Sequence, residues 1–193
     1  MDASDELVRL IGPPAARNAS PDDWTDVEDY LGTALPGDFK AFLDSYGAGV
    51  ISGELVLFHP RGTSPLLARM HRIHEAFGRS RQNYPAEYSF PFHPAPGGLI
   101  SWGYDYSGDE HFFQPCGPDP DRWKVVTEAH GSGSVVFDGS FTEFVLSFVR
   151  RLYEVDQYHG LDPDDLEFLE PGDLEELVES GEIGPIKPSF TSY

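Results

Sequence analysis

The densest run of chemically capable side chains is Asp105-Tyr106-Ser107-Gly108-Asp109-Glu110-His111, with Trp102 and Tyr104 just before it. Three carboxylates and an imidazole are suitable donors for a cation. The run lacks the Asp-x-Asp-x-Asp-Gly spacing of a calcium loop, and it lacks the His-Glu-x-x-His spacing that puts two zinc ligands on one helical face. No metal is expected there. The same residues mix aromatic rings with carboxylates, which is the composition of a protein-binding hot spot. Trp102, Tyr104, Asp105, Tyr106, Asp109 and Glu110 are therefore the candidate partner-binding residues. The competing reading is that Gly108-Asp109 is a turn and that alternate residues of the flanking strand face the core. His71 and His74 stand one helical turn apart, at a spacing that suits a shared ligand. No third donor is visible near them and Arg69 and Arg72 would repel a cation, so they read as surface histidines on a basic helical face.

Nucleophilic catalysis needs a thiol or hydroxyl with a base held against it. Cys116, the single cysteine, lies in a Pro/Gly loop, and no Gly-x-Ser-x-Gly elbow exists. Gly131-Ser132-Gly133 is better read as a hairpin turn. Phosphate-cradling Gly-x-Gly-x-x-Gly and Gly-Lys-Ser/Thr patterns are also missing. The expectation is a protein that is not an enzyme, with no catalytic residues, no cofactor and no metal.

Charge says more than any motif. The chain has 193 residues, with 13 Lys+Arg against 33 Asp+Glu, a formal net charge of -20 and a sequence pI near 4.4. Direct binding to nucleic acid relies on clustered Lys/Arg, so it is not expected. A partner with a basic cleft would be steered toward such a surface; the bland alternative is a solvated, solubility-promoting face. No stretch has the roughly 18 to 20 apolar residues of a membrane span, and the first residues lack the basic and apolar regions of a signal peptide. A cytoplasmic address and no membrane contact are expected. A lone cysteine excludes an internal disulfide framework. At 39% hydrophobic and 13% aromatic, the chain can fill one real core, which disordered acidic chains cannot. Arg61, Arg69, Arg72, Arg79 and Arg81 form the one basic patch, a contact for an acidic partner or for the chain's own acidic end, or else simply solvated arginines.

These residues must be positioned by elements that the sequence announces. Leu7, Val8, Leu10 and Ile11 suit a short helix before the breaker Gly12-Pro13-Pro14. Ser20-Pro21-Asp22-Asp23 starts a second helix, carrying Trp24, Val27 and Leu31 and stopping near Gly32. Leu35, Phe39, Phe42, Leu43 and Tyr46 share the apolar face of another that ends at Gly47. Residues 54 to 59 read as a buried strand. Ser64-Pro65 opens a helix with Leu66, Met70, Ile73 and Phe77 on one side and a stop at Gly78. Strands are expected at residues 98 to 102, 111 to 114, 123 to 127 and 135 to 137. Ser140 with Glu143 is a capping box that opens a helix bearing Phe141, Phe144, Val145 and Phe148. Between Leu152 and Ile186 there are many acidic residues and no Lys or Arg. Asp162-Pro163-Asp164-Asp165 and Gly172-Asp173 look like the starts of two short helices with Leu166, Leu169, Leu174, Leu177 and Val178 as apolar contacts. The fold class is α+β, a mixed, mainly antiparallel sheet of five to six strands packed against helices. The organisation is an N-terminal segment 1–19, an α+β domain 20–155, and an acidic helical appendage 156–193 packed on it.

The run Trp24-x-x-Val27-Glu28-x-x-Leu31-Gly32-x-x-Leu35-Pro36-x-Asp38-Phe39-Lys40-x-Phe42-Leu43-x-x-Tyr46-Gly47 resembles the opening helix pair of the SUKH superfamily, the Smi/Knr-type cell-wall assembly regulator domain. Residues 98 to 113 are similar to its apolar strand, Gly-Asp turn and aromatic strand. The segment after Asp138-Gly139-Ser140-Phe141 is similar to its closing helix. The resemblance covers about residues 20 to 153. It implies a mixed sheet of five or six strands on helices. In bacteria it implies an immunity protein that neutralises a polymorphic toxin, often a nuclease, by occluding its active site. The alternative it implies is a regulatory scaffold binding endogenous partners without any toxin. The expected partner is a protein, a basic toxin domain, and the chain itself is expected to be a monomer or weak homo-oligomer.

Overall fold

The computed structural model describes residues 3–15, 17, 19–129, 133–152 and 166–181. A helix α1 (Ala3–Ile11) is followed by a 3-10 turn at Pro21–Trp24, α2 (Thr25–Leu31) and α3 (Gly37–Tyr46). Ser20 and Asp23 form the capping box that opens this stretch, and Gly32, in the left-handed region, closes α2. Next come β1 (Gly49–Ile51), β2 (Leu55–Leu57), α4 (Leu66–Asn83), β3 (Ile100–Asp105), β4 (Glu110–Gln114), β5 (Lys124–Ala129) and β6 (Gly133–Phe137). The described chain ends with α5 (Phe141–Val149), β7 (Phe168–Leu169) and α6 (Pro171–Ser180).

The sheet corrects the expected strand count and pairing. It has seven strands in the order β6-β5-β4-β3-β2-β1-β7, and every neighbouring pair is antiparallel. The two additional strands are β1 and β7. β1 turns into β2 through Ser52 and Gly53, both at positive φ, with the Glu54 N–H donating to the Ile51 carbonyl at 3.0 Å. Ser52, Gly53 and Glu54 form a three-residue connection, since Ile51 stands opposite Leu55. β7 pairs with β1, Val50 opposite Leu169 and Ile51 opposite Phe168. Leu169 therefore belongs to a strand and not to a helix, while the helix start expected at Asp162 to Asp165 lies outside the described residues. Gly49 makes this docking possible, because a Cβ there would lie 2.5 Å from the Leu169 carbonyl oxygen and collide with the Phe168 ring.

α4 also outruns its expected stop. Gly78 costs a helix about 1 kcal/mol, but Phe77 packs against Phe92 and Phe112, and Arg79 pairs with Glu75 one turn back. The helix ends at Asn83, just before Tyr84-Pro85, where proline disfavours helical backbone in the preceding residue.

Both faces of the central strands are covered. On one, Phe39 of α3 and Phe141 and Phe144 of α5 meet Trp102, with Phe39 also against Phe113. On the other, Phe112 packs with Ile73 and Phe77 of α4 and with Phe92 and Leu99. α1 lays Leu7 and Ile11 into the first core, beside α5. No described helix is long and apolar enough to cross a membrane.

Candidate partner-binding surface

The β3–β4 hairpin carries the candidate residues, and a bulge decides where they point. Ile100 and Ser101 pair with Phe113 and Phe112, yet Gly103 pairs with His111, which leaves Trp102 as the extra residue. Such an insertion shifts the side-chain alternation by one. Trp102 stacks on His111 with ring centroids 5.2 Å apart and is 0% exposed. Beyond the bulge Gly103 lies so close to β2 that a Cβ would come within 2.7 Å of the Val56 carbonyl oxygen.

Asp105 and His111 form an interior polar network. The Asp105 carboxylate accepts from His111 Nε2–H at 3.1 Å, and the other imidazole nitrogen meets Thr127 Oγ1 at 2.9 Å. Asp105 also accepts the backbone N–H groups of Ser107 (2.9 Å) and Asp109 (3.3 Å), which closes the turn. Hydroxyl, imidazole and carboxylate thus stand in a row, as in a nucleophilic triad. All three are buried, and Trp102, Phe144 and Phe148 surround the imidazole. No substrate reaches this hydroxyl, so the row ties β3, β4 and β5 together.

Tyr104 and Glu110, directly paired across the hairpin, belong to a second buried group. Arg69 of α4 binds Glu110 at 2.5 Å, and its guanidinium lies 4.5 Å over the Tyr104 ring and 4.7 Å over Phe58. Burial pushes the Glu110 carboxyl up from its ordinary value, with Arg69 pulling the other way. Of the candidate partner-binding residues, Trp102, Tyr104, Asp105 and Asp109 are buried, and Glu110 is committed to Arg69. They are corrected from partner contacts to interior supports. The reason is that layers cover both faces of β3 and β4, whereas a surface hairpin would leave one face open. Tyr106, like Glu110, keeps part of its surface, and burial and Tyr104 push its hydroxyl up to about 12.

His71 and His74 have companions that sequence reasoning missed. Tyr30 of α2 and His93 of the loop before β3 join them, with ring centroids 4.0 to 5.9 Å from Tyr30. His74 is buried rather than exposed, because its Nε2 accepts the Ser101 N–H at 2.9 Å across α4 and β3. Its Nδ1 then carries the proton and donates to Tyr30 Oη at 3.0 Å. Burial, aided by His93 and His71, depresses its pKa to about 3. With both nitrogens engaged it has no lone pair for a metal, and no metal-competent grouping exists among the described residues. Nothing in the local sequence ties Tyr30 or His93 to α4.

The arginine patch is largely cancelled in place. Arg61 pairs with Asp23, Arg69 with Glu110 and Arg79 with Glu75. The acidic end is held elsewhere, by Arg17 on Glu170 at 2.5 Å. Among the described residues there are also open clefts, two of which carry charged side chains of both signs. One, about 470 Å³, holds Arg17, Asp23, Asp44, His59, Arg61 and Glu170. His59 accepts the Arg61 N–H at 3.1 Å, and burial lowers its pKa against the pull of Asp44 and Asp23. The other, about 650 Å³, lies at the mouth of α5 and is lined by Cys116, Asp119, Asp121, Lys124, Asp138 and Glu143 among others. The Cys116 thiol donates to the Arg122 carbonyl at 3.3 Å, and among the described residues no histidine lines that cleft. No family model and no curated protein matches this chain.

Proposed function

We propose that the chain is a protein-binding module of the SUKH type, an immunity protein that neutralises a basic toxin by covering its active site. It performs no chemistry on its partner. The observation that carries this reading is the distribution of charge. The chain bears a net charge of -20, and several of its described cations are taken up by its own carboxylates: Arg17 by Glu170, Lys40 by Glu28, Arg61 by Asp23, Arg69 by Glu110 and Arg150 by Glu6. What remains to face water is a surplus of Asp and Glu. Such a field draws a basic protein in from solution and repels nucleic acid, so the acidic surface competes for the groove in which a nuclease holds phosphate.

The test is affinity capture of the tagged full chain from cells that express it, eluted with rising salt and identified by mass spectrometry. The captured chain is then titrated with the protein while its own activity is followed. The proposal expects one basic chain in equal amount, inactivated completely at a one-to-one ratio. Recovery of signalling or envelope-assembly proteins, with no activity to inhibit, would place the protein among regulatory scaffolds instead.

A further inference from the structure

The sheet has two ends, and they are treated differently. At one end β1 is covered by β7 and followed by α6. At the other, β6 is the terminal strand, and among the described residues no strand pairs with its outer edge. Every second residue of an antiparallel strand directs its N–H and C=O away from its one neighbour, so an edge strand is a template for a further strand. Proteins protect such edges with lysines, prolines, bulges or covering elements. β6 reads Gly-Ser-Val-Val-Phe, without charge or proline, and it pairs in continuous register with β5 from Gly133 to Phe137. Val136, on an edge with no charged residue of its own, is 44% exposed.

The surroundings of this edge select its partner. The chain leaves β6 at Asp138 and enters the wall of the 650 Å³ cleft, where Asp119, Asp121, Asp138 and Glu143 are all exposed. Lys124 and Arg122 are the cations lining it, and Lys124 is already paired with Asp138 at 3.0 Å. A second copy of the chain would bring another net charge of -20 to the same place. A basic segment would find backbone partners along Ser134–Val136 and carboxylates at the end of the strand.

We infer that the β6 edge, together with the acidic cleft at its C-terminal end, is a docking site for an extended Lys/Arg-bearing segment of a protein partner, which adds to the sheet as an eighth strand. The inference rests on the reading of the chain as a binder of a basic protein, and it names the seat of that binding. Strand addition supplies affinity through main-chain hydrogen bonds, and side chains entering the cleft supply selectivity.

The experiment uses the full chain and two fluorescein-labelled peptides, Lys-Val-Lys-Val-Thr-Val-Lys and its counterpart with Glu at every Lys. Anisotropy gives the affinities, and amide hydrogen exchange locates the contact. The lysine peptide is expected to bind about tenfold or more tightly than the glutamate peptide, with new protection at Ser134–Val136. Val136→Lys puts a like charge on the exposed edge and is expected to lower that affinity by about tenfold; Asp138→Asn is expected to lower it less and to flatten its salt dependence. Far-UV circular dichroism checks that both variants fold. Equal affinity for the two peptides, absence of binding, or unchanged binding by a folded Val136→Lys variant would overturn the inference. Recovery of the same basic chain from cells by the Val136→Lys variant would leave partner binding standing and remove this edge as its seat.

Discussion

At the scale of single residues, the interior polar groups are stabilising devices whose removal has calculable consequences. His111 satisfies the buried Asp105 carboxylate and in turn meets Thr127. Replacing it by Ala leaves Asp105 Oδ2 without its partner and opens a cavity beside Trp102, at a cost of about 3 kcal/mol; urea unfolding measures it, and a cost under about 1 kcal/mol would mean water replaces the imidazole freely. His74 makes a prediction about pH. Its folded pKa of about 3 lies below the 6.5 of an unfolded histidine. The unfolded chain therefore takes up this proton first as pH falls. The stability that neutral His74 contributes is complete above pH 6.5 and is lost as pH drops toward 3, on the order of 5 kcal/mol over the whole interval. His74→Gln keeps an acceptor for Ser101 and a donor for Tyr30 but cannot titrate. The stability advantage of the natural protein over this variant should therefore shrink from pH 6.5 downward, while the shifted Glu110, Glu128, His59 and His93 cancel in the comparison. A gap that stays constant with pH would contradict the assignment. Neither network was legible in the sequence beyond its donor types. Asp105 and His111 are close in the chain, but the Trp102 bulge that buries them is a property of strand pairing, and Tyr30 meets His74 across 44 positions.

At the scale of elements, the helix starts were plainly written, because a cap is a local event. Ser140 with Glu143 forms the capping box that its spacing suggests, and Ser20, expected as a cap, forms a second box with Asp23. What the sequence concealed is pairing over distance. β1 is three residues long, too short for alternation to mark it, and β7 becomes a strand only because β1 offers it an edge. Gly49 is the hinge of that arrangement. Gly49→Val should expel Phe168 from its contacts with Phe42 and Tyr46 and cost about 2 kcal/mol. The same substitution should expose the amides of Val50 to Ser52 to exchange, since Ser52 N–H donates to the Glu167 carbonyl at 2.7 Å. Unchanged exchange there would show that β7 contributes nothing to holding this edge. Phe168→Ala, which trims the ring and leaves the β1 backbone free to pair, should cost less protection than Gly49→Val.

At the scale of the whole molecule, the two sheet ends and the surface charge belong to one account. The α+β class was legible from alternating helix and strand signals, whereas the strand count was not, since both added strands are two or three residues long. The candidate hairpin was chosen for its composition, and composition cannot distinguish a hot spot from a core: Trp102 and Asp105 suit both, and layers on each face of the sheet decided for the core. Charge is different in kind, because ion pairs within the molecule leave its sum unchanged. The surplus of carboxylates survives folding, and it is the property on which the proposed recognition of a basic partner depends. The most direct test is the association rate with the captured partner, followed by stopped flow as salt rises from about 50 to about 500 mM, where screening shortens from roughly 14 to 4 Å. The account predicts that the association rate falls by about tenfold or more while dissociation changes by less than about threefold. An association rate that does not respond to salt would contradict it.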